Sequence, residues 1–502
     1  MTDLQHPAPT TPQAGVDTGR LRTALHPEAH RIVYDQYLGD RAAVAELGYI
    51  SEVDRAHLVM LTERGLIPTE PAARLLHAID GLRADDFHAL RERPIPRGVY
   101  LAYEGWLTET LGADTGGVLH TGRSRNDLNA TTARLRTRDA LLPLLAEVRS
   151  LAATLLERAT AYRAVTMPAY THGQPAVPIT YGHYLAALAA AVLRGLDDLL
   201  AAGREAEHNP LGAGAVGGTS VAIDPARTAA LLGFEGCAVN SVDAVASREF
   251  ALRLLSASAV LGVAMARAGR DLSTWTAEES GLLRLADDLV GSSSMMPQKR
   301  NPFLLEHIHS RGTAALGGFT AAVTAMSTAG YTNAIAVGTE AMRHLWPGLS
   351  STADTATLLR LVIAGAEPDE QRMRAIAVNG HTTATYYAER LVAEGMPFRA
   401  AHHEVGATVL AALDHGHTLS QAAEERPGGP GDRGADWLDP ANVAQACAYG
   451  GGPGGGEVSR TLSRLEAELA RLDAELEKRR TRWSTARQAL DAAVARITAV
   501  AA

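Results

Sequence analysis

Apolar residues recur every three or four positions along most of this chain, the spacing that gives one face of an α-helix. The run "RAAVAELGYISEVDRAHLVMLTERGL" keeps that spacing and stops at Gly65. Residues 132–162, "TARLRTRDALLPLLAEVRSLAATLLERATAY", predict a long helix with Pro143 inside it as a point of kinking. Three more long helices are expected in "TYGHYLAALAAAVLRGLDDLLAAGREAE", "SREFALRLLSASAVLGVAMARAGRDLSTWTAEESG" and "LEHIHSRGTAALGGFTAAVTAMSTAG". Their alanine content favours helix and close helix–helix approach. Strand-like alternation is scarce, and "AVGGTSVAI" is its best short example. The expectation is a mainly α protein built on a long helical bundle.

The C-terminal part differs. "EERPGGPGDRGADWLDP" and "YGGGPGGGE" read as Gly/Pro-rich loops. Beyond them, leucines at 462, 465, 469, 472 and 476 mark two heptads. That helix either packs on its own domain or serves as an appended interaction module. The expected organisation is a disordered arm over 1–20, an N-terminal helical domain over 21–122, a central bundle over 123–371 and a C-terminal helical domain over 372–502.

Composition narrows the class of protein. A chain of 502 residues, 46% apolar, has enough material for a large core. The formal net charge of −9 gives no reason to expect nucleic acid or an anionic membrane surface as partner. Its only cysteines, Cys237 and Cys447, lie far apart, which argues against a disulfide framework and for a cytoplasmic protein. No structural zinc spacing is present and no metal or cofactor is expected. No uninterrupted apolar run reaches membrane-spanning length. His381, His402 and His403 read as ordinary polar residues, and Trp275 and Trp346 as core aromatics.

Three polar segments interrupt the helices: "HTGRSRNDLNAT" (120–131), "MPAYTHGQPAVPITYGHY" (167–184) and "GSSSMMPQKRNP" (291–302). Each falls at a helix end, where a rigid scaffold presents chemistry. The first offers Arg123, Arg125 and Asn126, donors suited to carboxylates. The second sets a hydroxyl, Thr171, beside a proton carrier, His172. In the third, Pro297 and Pro302 forbid regular structure around Ser293, Lys299 and Asn301.

Together these segments resemble the fumarase/aspartase superfamily, and within it argininosuccinate lyase. "GSSSMMPQKRNP" is similar to the superfamily signature loop, and "PLGAGAVGGTS", "NSVDAVASREF" and "GMPFRAAHHEVG" also follow the lyase pattern. The resemblance runs from about residue 119 to 456. It implies a three-domain, mostly helical chain, a homotetramer with active sites shared between subunits, and a small dicarboxylate substrate. The reaction it implies is β-elimination of fumarate from an N-(1,2-dicarboxyethyl) amine. The rival reading is a non-catalytic, crystallin-like protein on the same scaffold.

By that resemblance Ser293 is the catalytic base, with Ser292 and Ser294 beside it in register. A serine hydroxyl is a weak base and needs backbone N–H groups or a cation to lower its pKa. The resemblance gives Lys299 to the carbanion's charge and Asn301, Arg125, Asn126 and Thr171 to the substrate carboxylates. It gives His172 to substrate positioning or protonation of the leaving amine, and Glu306 to pairing with His172. Arg248 and Tyr331 fall on further substrate-binding positions.

The departures have a direction. Where the lyases carry a Gln and a Lys after the signature loop, this chain has Ala336 and Thr339. An Asp-x-His reads "GVY" at 98–100, a Gln reads Leu128 and an Asp reads Phe303. A guanidinium-bearing substrate would lose partners there, at about 1–3 kcal/mol per unsatisfied group. The expectation is retained elimination with a different amine.

Overall fold

The computed structural model describes residues 25–35, 40–91, 93, 95, 98–425 and 436–500. The arm expected over 1–20 and the Gly/Pro run at 426–435 lie outside them. The principal helices are α1 (Asp40–Glu63), α2 (Thr69–Ala84), α3 (Val99–Leu111), α4 (Arg125–Ala161), α5 (Tyr181–Gly203), α6 (Glu249–Thr276), α7 (Phe303–Gly312), α8 (Ala314–Ser327) and α9 (Leu345–Gly365). They continue with α10 (Glu370–Asn379), α11 (Ala384–Ala393), α12 (Phe398–His415) and α13 (Glu457–Thr498).

Helices α4, α5, α6 and α9 pack into one bundle around a core that includes Leu144, Leu151, Leu193, Leu254 and Leu359. Pro143 lies within α4 without ending it. Close approach is built in where α6 meets α7: a Cβ on Gly262 would collide with the carbonyl oxygen of Gly312. By length and composition α6 alone among the described helices would suffice to cross a membrane. Its buried face, with Phe250, Leu254, Leu261 and Leu272, belongs to the bundle core.

A second core joins α1, α2 and α3 to the start of α4. Helix α13, 42 residues and so about 63 Å long, serves both cores. Leu462, Leu469, Leu472 and Leu476 are buried in the bundle, and Leu490, Val494 and Ile497 in the second core. The heptad leucines thus face the chain's own interior. A third, small cluster joins α11 and α12, with Tyr387, Ala401 and Val405.

Strands are short. "AVGGTSVAI" forms turns and loop, while the proline-rich second segment makes the main hairpin, β1 (Thr166–Thr171) with β2 (Gln174–Thr180). The prolines are tolerated because a two-stranded sheet leaves one edge of each strand unpaired. Trp275 is buried, and Trp346 is half-buried with Arg136 stacked 3.7 Å above its ring.

Candidate active site

Helix α4 begins at a capping box. The Ser124 hydroxyl accepts the N–H of Asn126 at 3.3 Å, and the Asp127 carboxylate accepts the N–H of Ser124 at 2.9 Å. Arg125 is therefore the first helical residue, exposed at a helix N-terminus that favours anions. Asn126 is half-buried and donates to the Ala215 carbonyl at 3.2 Å. The other Asp127 oxygen accepts the N–H groups of Gly212 at 3.0 Å and Gly214 at 2.9 Å. Burial pushes the Asp127 carboxyl up, and its three backbone donors oppose that.

Arg123 does not join this donor set. Its fully buried guanidinium meets Asp54 at 2.5 Å and donates to the Tyr100 hydroxyl at 3.3 Å. Burial works against the Arg123 cation, but the Asp54 carboxylate outweighs it and holds the group above its ordinary value. Tyr100, one of the departures from the lyase pattern, also reaches His120 Nδ1 at 3.0 Å. Leu128, another departure, is wholly buried in the second core.

Arg248 caps α6 and is 2% exposed. Its Nη1 donates to the carbonyls of Val245 and Ser247, both at 2.8 Å. Burial pulls its guanidinium down to about 9, with Arg134 adding to the effect. Arg248 thus secures the C-terminus of the short helix Ser241–Ala246. On that helix Asp243 accepts a hydrogen bond from the exposed Tyr331 hydroxyl, which raises the phenol to about 12. Arg134 of α4 donates to Ala244 at 3.4 Å, so Tyr331 and Arg248 lie toward the start of α4.

The second segment holds Thr171 and His172 at the hairpin tip. Thr171 pairs with Gln174, leaving His172 (φ +53°) and Gly173 (φ +76°) as a two-residue turn with both φ values positive. Such a turn matches the twist of the strands. Histidine rarely adopts this conformation, and such residues cluster at functional sites. Both Thr171 and His172 are exposed.

The signature loop is closed at its neck by two hydrogen bonds of 2.8 Å between the backbones of Gly291 and Asn301. Within it the Ser293 hydroxyl oxygen accepts the N–H groups of Met295 at 3.3 Å and Met296 at 3.0 Å. Among the described residues, Ser292 and Ser294 have no side-chain hydrogen bond. Lys299 is exposed, and Arg300 anchors the loop through Asp287 at 2.6 Å and the Leu285 carbonyl at 2.9 Å. Among the described residues, the Asn301 side chain donates only to the Ser292 carbonyl, at 3.5 Å. Glu306 is exposed on the first turn of α7.

Within one chain these groups divide between the two ends of α4. Helix α4 has 37 residues and spans about 55 Å. Arg125 and Asn126 open it, and the hairpin with Thr171 and His172 follows its far end. The signature loop is rooted near that far end: Leu285 pairs with Ala366, whose carbonyl takes Arg158 at 2.7 Å. Among the described residues, no hydrogen bond or ion pair joins Glu306 to His172. Sequence reading missed Asp127 and Asp243. The Ser-x-x-Asp spacing of a capping box was the available signal for the first, and nothing local marked the second.

The family model described as "Lyase" matches residues 45–317, and that described as "Argininosuccinate lyase C-terminal" matches residues 381–426. The chain belongs to the fumarase/aspartase superfamily. Within it this lyase is most like argininosuccinate lyase. It is 34% identical to argininosuccinate lyase of Methanothrix thermoacetophila over 447 residues, covering 86% of this chain and 90% of the relative. It is 31% identical to argininosuccinate lyase 1 of Shouchella clausii, covering 84% and 87%. The solved structure of EDDS lyase in complex with formate superposes with a TM-score of 0.83 at 30% identity, covering 95% of this chain and 97% of that one. The protein is a carbon–nitrogen lyase that releases fumarate.

Proposed function

We propose that this lyase eliminates fumarate from an N-(1,2-dicarboxyethyl) amine other than argininosuccinate, with Ser293 as the base. The observation that carries the reading is the pair of backbone N–H groups aimed at the Ser293 oxygen. Two such donors favour the alkoxide and lower the hydroxyl's pKa. Ser293 removes the Cβ proton, and the C–H electron pair moves into the adjacent carboxylate as an aci-dianion. That charge needs cationic and hydrogen-bonding partners, which Lys299, Asn301 and Thr171 are suited to provide. The electrons then return to form the C=C bond as C–N breaks. The nitrogen leaves with its electron pair and takes a proton from His172. Arg125 and Asn126 bind the substrate carboxylates.

The length of α4 supports a site assembled from several copies, with one segment from each of three subunits of a homotetramer. Glu306 then pairs with a partner subunit's copy of the hairpin histidine. Arg248 supports the substrate pocket from beneath and Tyr331 lines it. Ala336 and Thr339, with the exposed Ile335 beside them, offer little to a guanidinium. The likeness to EDDS lyase, an enzyme named for another substrate, supports a changed amine. The two free cysteines suit a cytoplasmic setting.

The test is a panel of N-succinyl amines, argininosuccinate included, with fumarate absorbance as readout. Another amine is expected to exceed argininosuccinate in kcat/KM, and Ser293→Ala to slow turnover by about 10³-fold. Efficient, preferred use of argininosuccinate would overturn the changed-amine reading. Full turnover by Ser293→Ala would overturn the assignment of the base.

A further inference from the structure

His415, His417 and Glu425 lie where α12 gives way to the helix Leu419–Glu424, outside the three polar segments described above. Their ligand atoms all fall within 4.8 Å of one another, and no other trio of His, Cys, Asp and Glu among the described residues is as close. The backbone fixes the arrangement. His415 is the last residue of α12, and Gly416 ends the helix in the left-handed conformation at φ +67°. That turn brings the His417 ring to 5.6 Å from the His415 ring, centroid to centroid. Thr418 then starts the helix Leu419–Glu424 with a capping box to Gln421, and Glu425 closes it. Glu425 returns to His417 Nδ1 at 3.3 Å.

Two imidazole nitrogens and one carboxylate oxygen suit a borderline cation such as zinc, whereas calcium and magnesium favour all-oxygen shells. A tetrahedral zinc ion sets its ligand atoms roughly 3.3 Å apart. The His417–Glu425 pair already has that separation. His415 and Glu425 are exposed, so rotation of their side chains can close the remaining gap. Three protein ligands leave one position for water.

We propose that His415, His417 and Glu425 bind one transition-metal cation of the zinc class, stapling the end of α12 to the helix that follows. Those two helices share a small core, where Ala401 and Val405 meet Leu419 and Ala423. A small core gains most from a cross-link of this kind.

Full-length protein stripped with a chelator and titrated with zinc by calorimetry tests the proposal. One site per chain with micromolar or tighter affinity is expected. His415→Ala, His417→Ala and Glu425→Gln should each weaken it at least about tenfold. His402→Ala, on the same helix but outside the trio, should leave it unchanged. Zinc should raise the thermal midpoint of the parent protein and not of His417→Ala. Fumarate release by His417→Ala should match the parent. No site tighter than millimolar, or parent-like binding in both histidine variants, would overturn the proposal.

Discussion

The Asp127 carboxylate accepts the backbone N–H of Gly214 at 2.9 Å, tying the start of α4 to the glycine-rich loop after α5. Gly212 and Ser124 give their N–H groups to the same side chain. Arg125 and Asn126 owe their position to this knot. Asp127→Asn would point an amide N–H at one of these donors. It is expected to lose about 2 kcal/mol or more of stability, measured by urea unfolding. On the proposed carboxylate-binding role of Arg125 and Asn126, KM should rise more than kcat falls.

The serine run gives a sharper prediction. Only the Ser293 oxygen collects backbone donors, so Ser293→Ala should slow fumarate formation by about 10³-fold. Ser292→Ala and Ser294→Ala should stay within about tenfold of the parent. All three substitutions lie in an exposed loop and should alter stability by less than about 0.5 kcal/mol. Equal losses from the three substitutions would remove Ser293 from its role.

The span of α4 predicts complementation. On the proposed site, Arg125→Ala and His172→Ala should each be nearly inactive alone, and they carry their defects at opposite ends of that helix. Hybrids assembled at random from equal amounts should recover up to about a quarter of the parent activity, since some sites draw both segments from intact copies. Sites built within single chains would recover none.

Acid stability depends on His57. It is buried with Nε2 at 2.8 Å from the Thr121 carbonyl, and burial, with Arg123 nearby, lowers its pKa from 6.5 to about 3. Between those values the unfolded chain takes up a proton that the folded chain refuses. Stability is therefore present above pH 6.5 and lost as pH falls, at about 1.4 kcal/mol per pH unit. From pH 6.5 to 5 the parent should lose about 2 kcal/mol more than His57→Gln, measured by denaturant melts of both proteins at each pH.

The long helices were legible because their apolar period is local and their ends carry local signals, such as Ser124 before Asn126 and Asp127. The hairpin at Thr171 was not. Its prolines mask the strand pattern, and its turn depends on a histidine in a conformation that the residue type seldom adopts. Arg123 and Arg125 look equivalent in the sequence. One is buried against Asp54 and the other is exposed, and 69 residues separate Arg123 from its partner.

By itself, the sequence determined the helical bundle and the three chemical segments, because helix period, capping and motif spacing act over a few residues. Tertiary structure decided which groups are free to react. It buried Arg123 and Leu128 and ran α13 through two cores. Burial and hydrogen-bond partners come from residues distant in the chain, which no local pattern encodes.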